Sequence, residues 1–368
     1  MDTKTWNTIG TFLLLIFVAF ACGTQEKTSE EFYSPEDFKT VRKIDAHTHA
    51  NTQEHAFLEQ ARDDNFVLLS LNAEVQSYKP IEQQQEDALY QMKSFPGQLY
   101  YLSTFSTENR KDSTWLNKEL AYLKNSFNQG ALGIKVWKNI GMDIRDTSEA
   151  FILIDHPMFD PVFQYVEAAN LTVTGHIGEP LNCWLPVKEM TVNNDRNYFK
   201  NNPQYHMYQH PDYPSHEELI AARDHLLEKH PGLRFVGAHL GSLEYDVDQI
   251  AKRLDKFPNM AVDMAARISH LQHQSAADHD KIRNFMIKYQ DRILYATDLA
   301  MEDGEDGAEV KARTHDRWIS DWLYFCTDQE LKDENVNGTF KGLKLPRGVI
   351  DKIYRLNAER WFPAMKAR

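Results

Sequence analysis

The feature that most constrains the fold is an alternation of short apolar segments with longer segments of helical periodicity, beginning near residue 41. Several short segments are almost continuously apolar, as is typical of parallel strands covered on both faces. The eight segments that we predict as strands are Lys43–His49, Phe66–Asn72, Leu99–Phe105, Leu132–Lys138, Leu171–Ile177, Leu233–His239, Met260–Ala266 and Arg292–Asp298.

The segments between these strands carry helix start and stop signals. Ser215 and Glu218 match a capping box, and Pro231-Gly232 ends the helix that follows. Eight strand–helix units predict an α/β fold, a (β/α)₈ TIM barrel, as a single domain over residues 41–368. A doubly wound open sheet is the alternative, but no Gly-x-Gly-x-x-Gly follows any predicted strand.

One connection, residues 178–214, is far longer than the rest. Most connections in compact domains have about 2–6 residues, and long ones are often lids or binding loops. This one is rich in aromatic residues such as Trp184, Tyr198 and Tyr205. We therefore predict a loop that contributes to the binding site or packs on the barrel rim.

The N-terminus carries an apolar run, Thr11–Ala21, directly followed by Cys22. The run is too short to span a membrane but suits a secretory signal. It resembles a bacterial lipoprotein signal, which implies a signal peptide over 1–21, a lipidated Cys22 and a flexible tether over 23–40. An uncleaved anchor helix or a plain secretory signal is the alternative. Each interpretation predicts export, and the first places the protein in the bacterial cell envelope, held to a membrane by its lipid.

The net charge limits the classes of binding partner, and the cysteine content limits the possible disulfides. The net charge of −13 and the lack of a basic stripe argue against nucleic acid. The expected partner is a small-molecule substrate, and a homo-oligomer is compatible with the sequence. Cys183 and Cys326 allow at most one disulfide besides any use of Cys22, and the sequence does not show whether they pair.

Polar residues lie at the ends of several predicted strands. In a barrel of this type the C-terminal strand ends meet at one mouth, where active sites lie. His47 and His49 share one face of their strand because side chains alternate. Any one histidine alone is better explained as a core residue, but several at equivalent positions, with Asp298, predict a catalytic metal site. The strand-end residues are His47, His49, Lys135, His176, His239 and Asp298.

The chain resembles the amidohydrolase superfamily, in its amidohydrolase-related branch, over nearly all residues after about 40. That branch includes lactone and amide hydrolases and metal-dependent decarboxylases. The resemblance is carried by Ile44-Asp45-Ala46-His47-Thr48-His49, Gly175-His176-Ile177-Gly178-Glu179-Pro180, Gly237-Ala238-His239-Leu240-Gly241-Ser242, Tyr295-Ala296-Thr297-Asp298 and the closing Leu345-Pro346 and Asn357-Ala358-Glu359-Arg360.

The resemblance implies a role for each strand-end residue. His47, His49, His176 and Asp298 would hold a divalent metal, for which zinc is expected. Asp298 would also accept the proton of the attacking water and pass it to the leaving group. His239 would hydrogen-bond that water or polarise the substrate carbonyl.

Lys135 has two interpretations. In binuclear members a lysine at this position is carboxylated and bridges two metals, whereas in the related branch it often binds substrate. We favour one zinc, with two if Lys135 is carboxylated. Further substrate contacts are predicted for Trp137, Glu179 and Arg267, although a loop salt bridge explains Arg267 equally well.

The sequence thus predicts a metal-dependent hydrolase that attacks the carbonyl of a small polar lactone, ester or amide. The alternative within the same family is a non-hydrolytic decarboxylase. A different class of function, a lipoprotein that binds a ligand without turnover, is the second alternative.

Overall fold

The computed structural model describes residues 1–2 and 32–366. Residues 3–21 of the predicted signal segment, Cys22 and tether residues 23–31 lie outside the described residues. Among the described helices, none combines the length and apolarity needed to cross a membrane.

All eight predicted strands are present and run parallel to their neighbours. The strands are β1 (Lys43–Asn51), β2 (Phe66–Leu71), β3 (Leu99–Leu102), β4 (Gly133–Val136), β5 (Thr172–Gly175), β6 (Arg234–Gly237), β7 (Met260–Asp263), β8 (Ile293–Leu294) and β9 (Leu299–Glu302), with a small antiparallel pair β10 (Glu330–Leu331) and β11 (Phe340–Lys341).

The barrel strands form two runs, β3-β2-β1-β9 and β4-β5-β6-β7-β8. A parallel bridge between Ser103 and Ile134 joins β3 to β4. At the other seam, the amide of Ala46 donates to the carbonyl of Tyr295 at 3.0 Å. The strands therefore close into the predicted (β/α)₈ barrel.

Helices surround the strands, and the predicted capping box is formed. Ser215 Oγ accepts a hydrogen bond from the Glu218 amide at 3.2 Å, and the Glu218 carboxylate accepts one from the Ser215 amide at 2.8 Å. The longer helices are α1 (Ala56–Asp63), α2 (Ile81–Ser94), α3 (Trp115–Asn128), α4 (Asp160–Ala168), α5 (Asn193–Asn201), α6 (His216–Lys229), α7 (Val247–Lys256), α8 (Ile268–Ala277), α9 (His279–Lys288) and α10 (Gly307–Cys326). Short helical segments are Pro35–Lys39, Asn139–Met142, Pro157–Phe159, Leu181–Trp184, Val187–Glu189, Pro203–Tyr205, Met207–Gln209, Ala238–Gly241, Arg347–Asp351, Lys352–Leu356, Asn357–Trp361 and Pro363–Met365.

The eighth strand differs from the prediction because it is interrupted. Its first part, β8, pairs with β7 through Leu294, and its second part, β9, pairs with β1 from Leu299 onward. Within the break, Asp298 has a left-handed backbone with φ of 68°. The Asp45 carboxylate holds this break, since it accepts hydrogen bonds from the Thr297 hydroxyl at 2.6 Å and the Thr297 amide at 3.1 Å.

The predicted tether differs from the structure at its C-terminal end. Residues Pro35–Lys39 form a short 3₁₀ helix, and Phe38 is buried in the main hydrophobic core. The Lys43 ammonium donates to the carbonyl of Val41 at 2.7 Å. The barrel therefore already includes the segment from about residue 33, and a free tether is a prediction for 23–31 alone.

The long connection 178–214 is fixed rather than open. It contains α5 and several short helical turns. Asp195 in α5 lies 3.0 Å from His270 Nε2 on α8 and accepts a hydrogen bond from Asn182 at 2.9 Å. The Asn193 amide donates to the carbonyl of Asn335 at 2.9 Å. The connection thus packs on the barrel rim, which was one of its two predicted roles.

Cys183 and Cys326 are both buried and free, so they form no disulfide with each other.

The buried carboxyl of Asp321 on α10 should make the stability of the protein depend on pH. Burial raises the pKa of this carboxyl to about 6, against the charge of Arg317, and the hydroxyl of Tyr295 donates to it at 2.9 Å. A raised pKa means that the folded state holds the proton more tightly, so stability is lost as the pH rises from about 4 to about 6. We expect Asp321→Asn to reduce the difference in unfolding free energy between pH 4.5 and 7.5 by about 2 kcal/mol. Urea unfolding at both pH values measures it, and exposed Asp291→Asn is the control that should leave the difference unchanged.

Candidate active site

The two histidines of β1 face the mouth of the barrel. The orientation of each ring is fixed by a hydrogen bond at its Nδ1 atom. His47 Nδ1 lies 2.9 Å from the Asp263 carboxylate, and His49 Nδ1 lies 2.7 Å from the carbonyl of Leu71. A carbonyl or carboxylate oxygen accepts, so each Nδ1 carries the hydrogen. Each Nε2 therefore presents a lone pair, the form in which histidine binds a metal.

Asp298 completes a compact donor set with these rings. One of its carboxylate oxygens lies 3.2 Å from His47 Nε2 and 3.3 Å from His49 Nε2. The ligand atoms of the three residues all lie within 4.8 Å of one another. Lone pairs and a carboxylate that converge repel one another unless a cation lies between them. Two nitrogens and one oxygen are a donor set that suits a divalent metal ion.

Burial and charge act in opposite directions on Asp298. Its enclosed position would raise the pKa of the carboxyl, but its interactions with His239, His47 and His49 lower that pKa well below the usual range. Burial and the nearby Lys135 charge lower the pKa of His47. Both effects favour a neutral imidazole beside an ionised carboxylate.

Lys135 on β4 reaches the same donor set, as predicted. Its ammonium lies 2.9 Å from His47 Nε2, and the side chain is fully buried. Burial lowers the pKa of Lys135 to about 8. It is the positive group that faces the converging lone pairs.

His239 and His176 form a chain of hydrogen bonds beside this set. His239 Nδ1 lies 2.9 Å from the carbonyl of Ala265 and must donate to it, so His239 Nε2 is an acceptor. It faces His176 Nδ1 at 3.1 Å, and His176 Nε2 is then buried with no hydrogen-bond partner among the described residues. Burial lowers the pKa values of both rings well below the usual range.

The structure brings together three of the four predicted metal ligands. His176 does not belong to the compact group of His47, His49 and Asp298. The reason is its contact with His239, which turns its free Nε2 towards Glu179, at 4.0 Å. Its unpartnered lone pair is nevertheless an orphaned buried polar atom that fits a metal ligand.

A left-handed turn positions His239. Four consecutive residues, His239, Leu240, Gly241 and Ser242, have φ values of 58°, 57°, 64° and 55°. Each left-handed residue other than glycine costs about 1–2 kcal/mol. The turn is held by contacts from outside it: Ser242 Oγ donates to the carbonyl of Gly178 at 2.8 Å, and Arg223 donates to the carbonyl of Gly241 at 2.5 Å.

Asp263, for which no sequence pattern predicts a role, links the strand of His47 to the turn of His239. Besides His47 Nδ1, it accepts hydrogen bonds from the His239 amide at 2.8 Å and the Ala265 amide at 3.1 Å. Burial would raise the pKa of Asp263, but its interaction and hydrogen bond with His47 lower it. The one available signal was a carboxylate inside the apolar strand Met260–Asp263.

The other predicted substrate contacts lie around the mouth. Glu179 forms an ion pair with Lys138, so it is not free to bind a substrate cation. Trp137 lines a cavity of about 550 Å³ together with Tyr78. The Tyr78 ring also lies 5.4 Å from the His49 ring, which no sequence pattern indicated.

Glu74 gives this cavity a polar wall. Its carboxylate accepts hydrogen bonds from the hydroxyls of Ser106 and Thr107 and from the amide of Asn139, each at 2.6 Å. These residues follow β2, β3 and β4, so one carboxylate ties three loops together. The cavity therefore suits a small polar molecule.

Comparison with known proteins agrees with this architecture. No curated protein matches the chain. A 2,6-dihydroxybenzoate decarboxylase from Rhizobium has 16% identity and a TM-score of 0.53, covering 88% of this chain and 99% of its own. An uncharacterized TIM-barrel protein from Bordetella bronchiseptica has 12% identity and a TM-score of 0.52, with the same coverage. At these identities the likeness shows a shared fold.

A comparison of the sequence with family models identifies the family. The model of the family described as Amidohydrolase matches residues 44–364, which include every strand-end residue discussed above. With the barrel closed and the donor set at its mouth, this match confirms the resemblance drawn from the motifs. The chain belongs to the amidohydrolase family.

Proposed function

We propose that the protein is a metal-dependent hydrolase that cleaves a lactone, ester or amide bond in a small polar molecule. The observation that carries the proposal is the convergence of His47 Nε2, His49 Nε2 and the Asp298 carboxylate at the C-terminal ends of the barrel strands. Zinc is the metal that we propose for these donors. When bound, such an ion polarises a carbonyl and lowers the pKa of water towards about 7.

Residues of the chain would carry out the proton transfer and orient the water. Asp298 accepts the proton of the attacking water and passes it to the leaving oxygen or nitrogen. His239 Nε2, kept as an acceptor by the carbonyl of Ala265, supports a role in orienting the water rather than in polarising the carbonyl. His176 remains a proposed fourth ligand through its unpartnered Nε2, after a change in its contact with His239.

A decarboxylase is the second candidate. It is favoured by the shared fold of the 2,6-dihydroxybenzoate decarboxylase structures, and it would use the same donor set. Hydrolysis adds water across the acyl C–O or C–N bond and breaks it, whereas decarboxylation releases CO₂ and places a solvent proton on carbon. In labelled water, hydrolysis therefore introduces a solvent oxygen into the product, whereas decarboxylation introduces a solvent hydrogen on carbon.

The test uses the full-length, metal-loaded protein with a panel of lactones, esters, amides and aromatic carboxylates. In H₂¹⁸O we expect one ¹⁸O in the new carboxylate of a turned-over lactone. CO₂ release with one deuteron taken up from D₂O would instead assign the decarboxylase. Retained metal with no turnover of the whole panel would favour a binding protein and overturn the enzymatic proposal.

Metal stoichiometry tests the role of Lys135. We expect one metal ion per chain in the wild-type protein and also in Lys135→Ala, because the three donors come from other residues. Metal analysis of the dialysed proteins by mass spectrometry measures this. Two ions per chain that fall to one in Lys135→Ala would show a carboxylated bridging lysine instead.

A further inference from the structure

Arg267 is a buried cation whose hydrogen-bonding groups the protein satisfies only in part. Its side chain follows β7, and only 8% of the residue is exposed. One guanidinium nitrogen donates to the carbonyl of the adjacent Ala266 at 3.0 Å, while Nε is buried without a hydrogen-bond partner. Within residues 32–366, Arg267 forms no ion pair. A buried charge without a partner is costly, so it indicates a partner that arrives from outside.

The position of Arg267 is the mouth of the barrel. It lies two residues after Ala265, whose carbonyl fixes His239. Its charge reaches His176, His239 and Lys138, lowering the pKa of each, although burial is the larger cause in every case. Arg267 therefore lies close to the proposed catalytic groups, on the side of β5 to β7.

The carboxylates near Arg267 are already engaged with other groups. Asp195 lies 3.0 Å from His270 Nε2 and accepts from Asn182 at 2.9 Å. Glu179 is paired with Lys138. Lys138, in turn, is not available as a second anion receptor. The unpartnered Nε of Arg267 is thus left to donate to an anionic group from outside the protein.

We infer that Arg267 is a specificity-determining residue that binds a carboxylate of the substrate, which makes the substrate class a carboxylate-bearing lactone or amide. The inference deepens the proposed function and rests on it. A planar guanidinium matches a planar carboxylate with two parallel hydrogen bonds. A single guanidinium suits a monoanion better than a phosphate dianion, whose second charge would lack a partner.

Binding without turnover tests the inference separately from catalysis. The probes are tetrahydrofuran-2-carboxylate and its neutral counterpart tetrahydrofuran-2-carboxamide, titrated calorimetrically into full-length, chelator-treated protein so that no metal binds the carboxylate. We expect the wild type to bind the acid about 100-fold more tightly than the amide. In Arg267→Gln this preference should disappear. Arg283→Gln, which removes a guanidinium bound to the carbonyl of Leu343, is the matched control and should keep it.

A second variant and a competing anion complete the binding test. Arg267→Lys, which keeps the charge but loses the planar fork, should retain only part of the preference, and it replaces Arg267→Gln if that variant does not fold. Inorganic phosphate should compete weakly. Equal wild-type affinity for acid and amide, an acid preference retained in Arg267→Gln, or tighter binding of phosphate than of the acid would each overturn the inference.

Turnover separates the inference from the proposed function. The substrates are 5-oxotetrahydrofuran-2-carboxylate and 5-oxotetrahydrofuran-2-carboxamide, with the metal-loaded protein. We expect kcat/KM to favour the acid about 100-fold, chiefly through KM. Equal hydrolysis of both lactones would sink the inference and leave the hydrolase standing. Arg267-dependent binding with hydrolysis of neither would sink the hydrolase proposal instead.

Discussion

Asp298→Asn is expected to lower kcat/KM of the hydrolysis about 10³-fold, because an amide cannot accept the proton of the attacking water. The substitution keeps the volume of the side chain and one oxygen that can face His47 and His49. Asparagine also tolerates the left-handed backbone at this position, where φ is 68°. The loss should therefore appear in kcat while the fold is kept. Steady-state kinetics and circular dichroism measure the two.

The control for this variant is Asp280→Asn on α9, a position where the carboxylate is exposed and contacts only its neighbour His279 among the described residues. It should keep kcat/KM within about twofold, as surface substitutions rarely disturb a distant site. If Asp298→Asn retained a tenth or more of the wild-type kcat with metal bound, Asp298 would not be the base. His239 would then be the first residue to test in that role.

Asp263→Asn is expected to weaken metal binding about 10- to 100-fold, as removing the partner of a ligating histidine commonly does. The carboxylate of Asp263 accepts three hydrogen bonds, from the His47 ring and from the amides of His239 and Ala265. The single oxygen of an asparagine can accept either from the His47 ring or from the two amides. Its NH₂ group must then face the donor that is left. We therefore also expect a loss of about 1–3 kcal/mol in the free energy of unfolding. Competition with a chromogenic chelator and urea unfolding measure the two effects.

Asp255→Asn is the matched control for Asp263→Asn. Its carboxylate accepts one hydrogen bond, from the hydroxyl of Tyr289 at 3.0 Å, and is not part of the donor set. Metal affinity should be unchanged in this variant. An unchanged metal affinity in Asp263→Asn itself would show that the orientation of His47 does not depend on Asp263.

The strand pattern was predictable because it depends on local sequence. Each barrel strand is a short apolar run, and the two-residue repeat of a strand places His47 and His49 on one face. The break in the eighth strand was not predictable. It depends on the Asp45 carboxylate, which lies far away in the sequence and binds Thr297.

The site was predictable to the extent that strand ends define it. His47, His49, Lys135 and Asp298 lie together as their positions predicted. The orientation of His176 was not predictable, because the ring of His239 sets it. The role of Asp263 was not predictable for a similar reason, since it depends on partners from β1 and from the turn after β6 and leaves no local motif.

The left-handed turn from His239 to Ser242 has a consequence for how the protein acquires activity. An unfolded chain rarely adopts three such non-glycine residues together with Gly241, because each is unfavourable by itself. The contacts that compensate come from Asp263, Gly178 and Arg223, on separate elements. His239 can therefore reach its place only after those elements have docked. Catalytic competence should be among the last properties to appear during folding, and its onset would report that the barrel is complete.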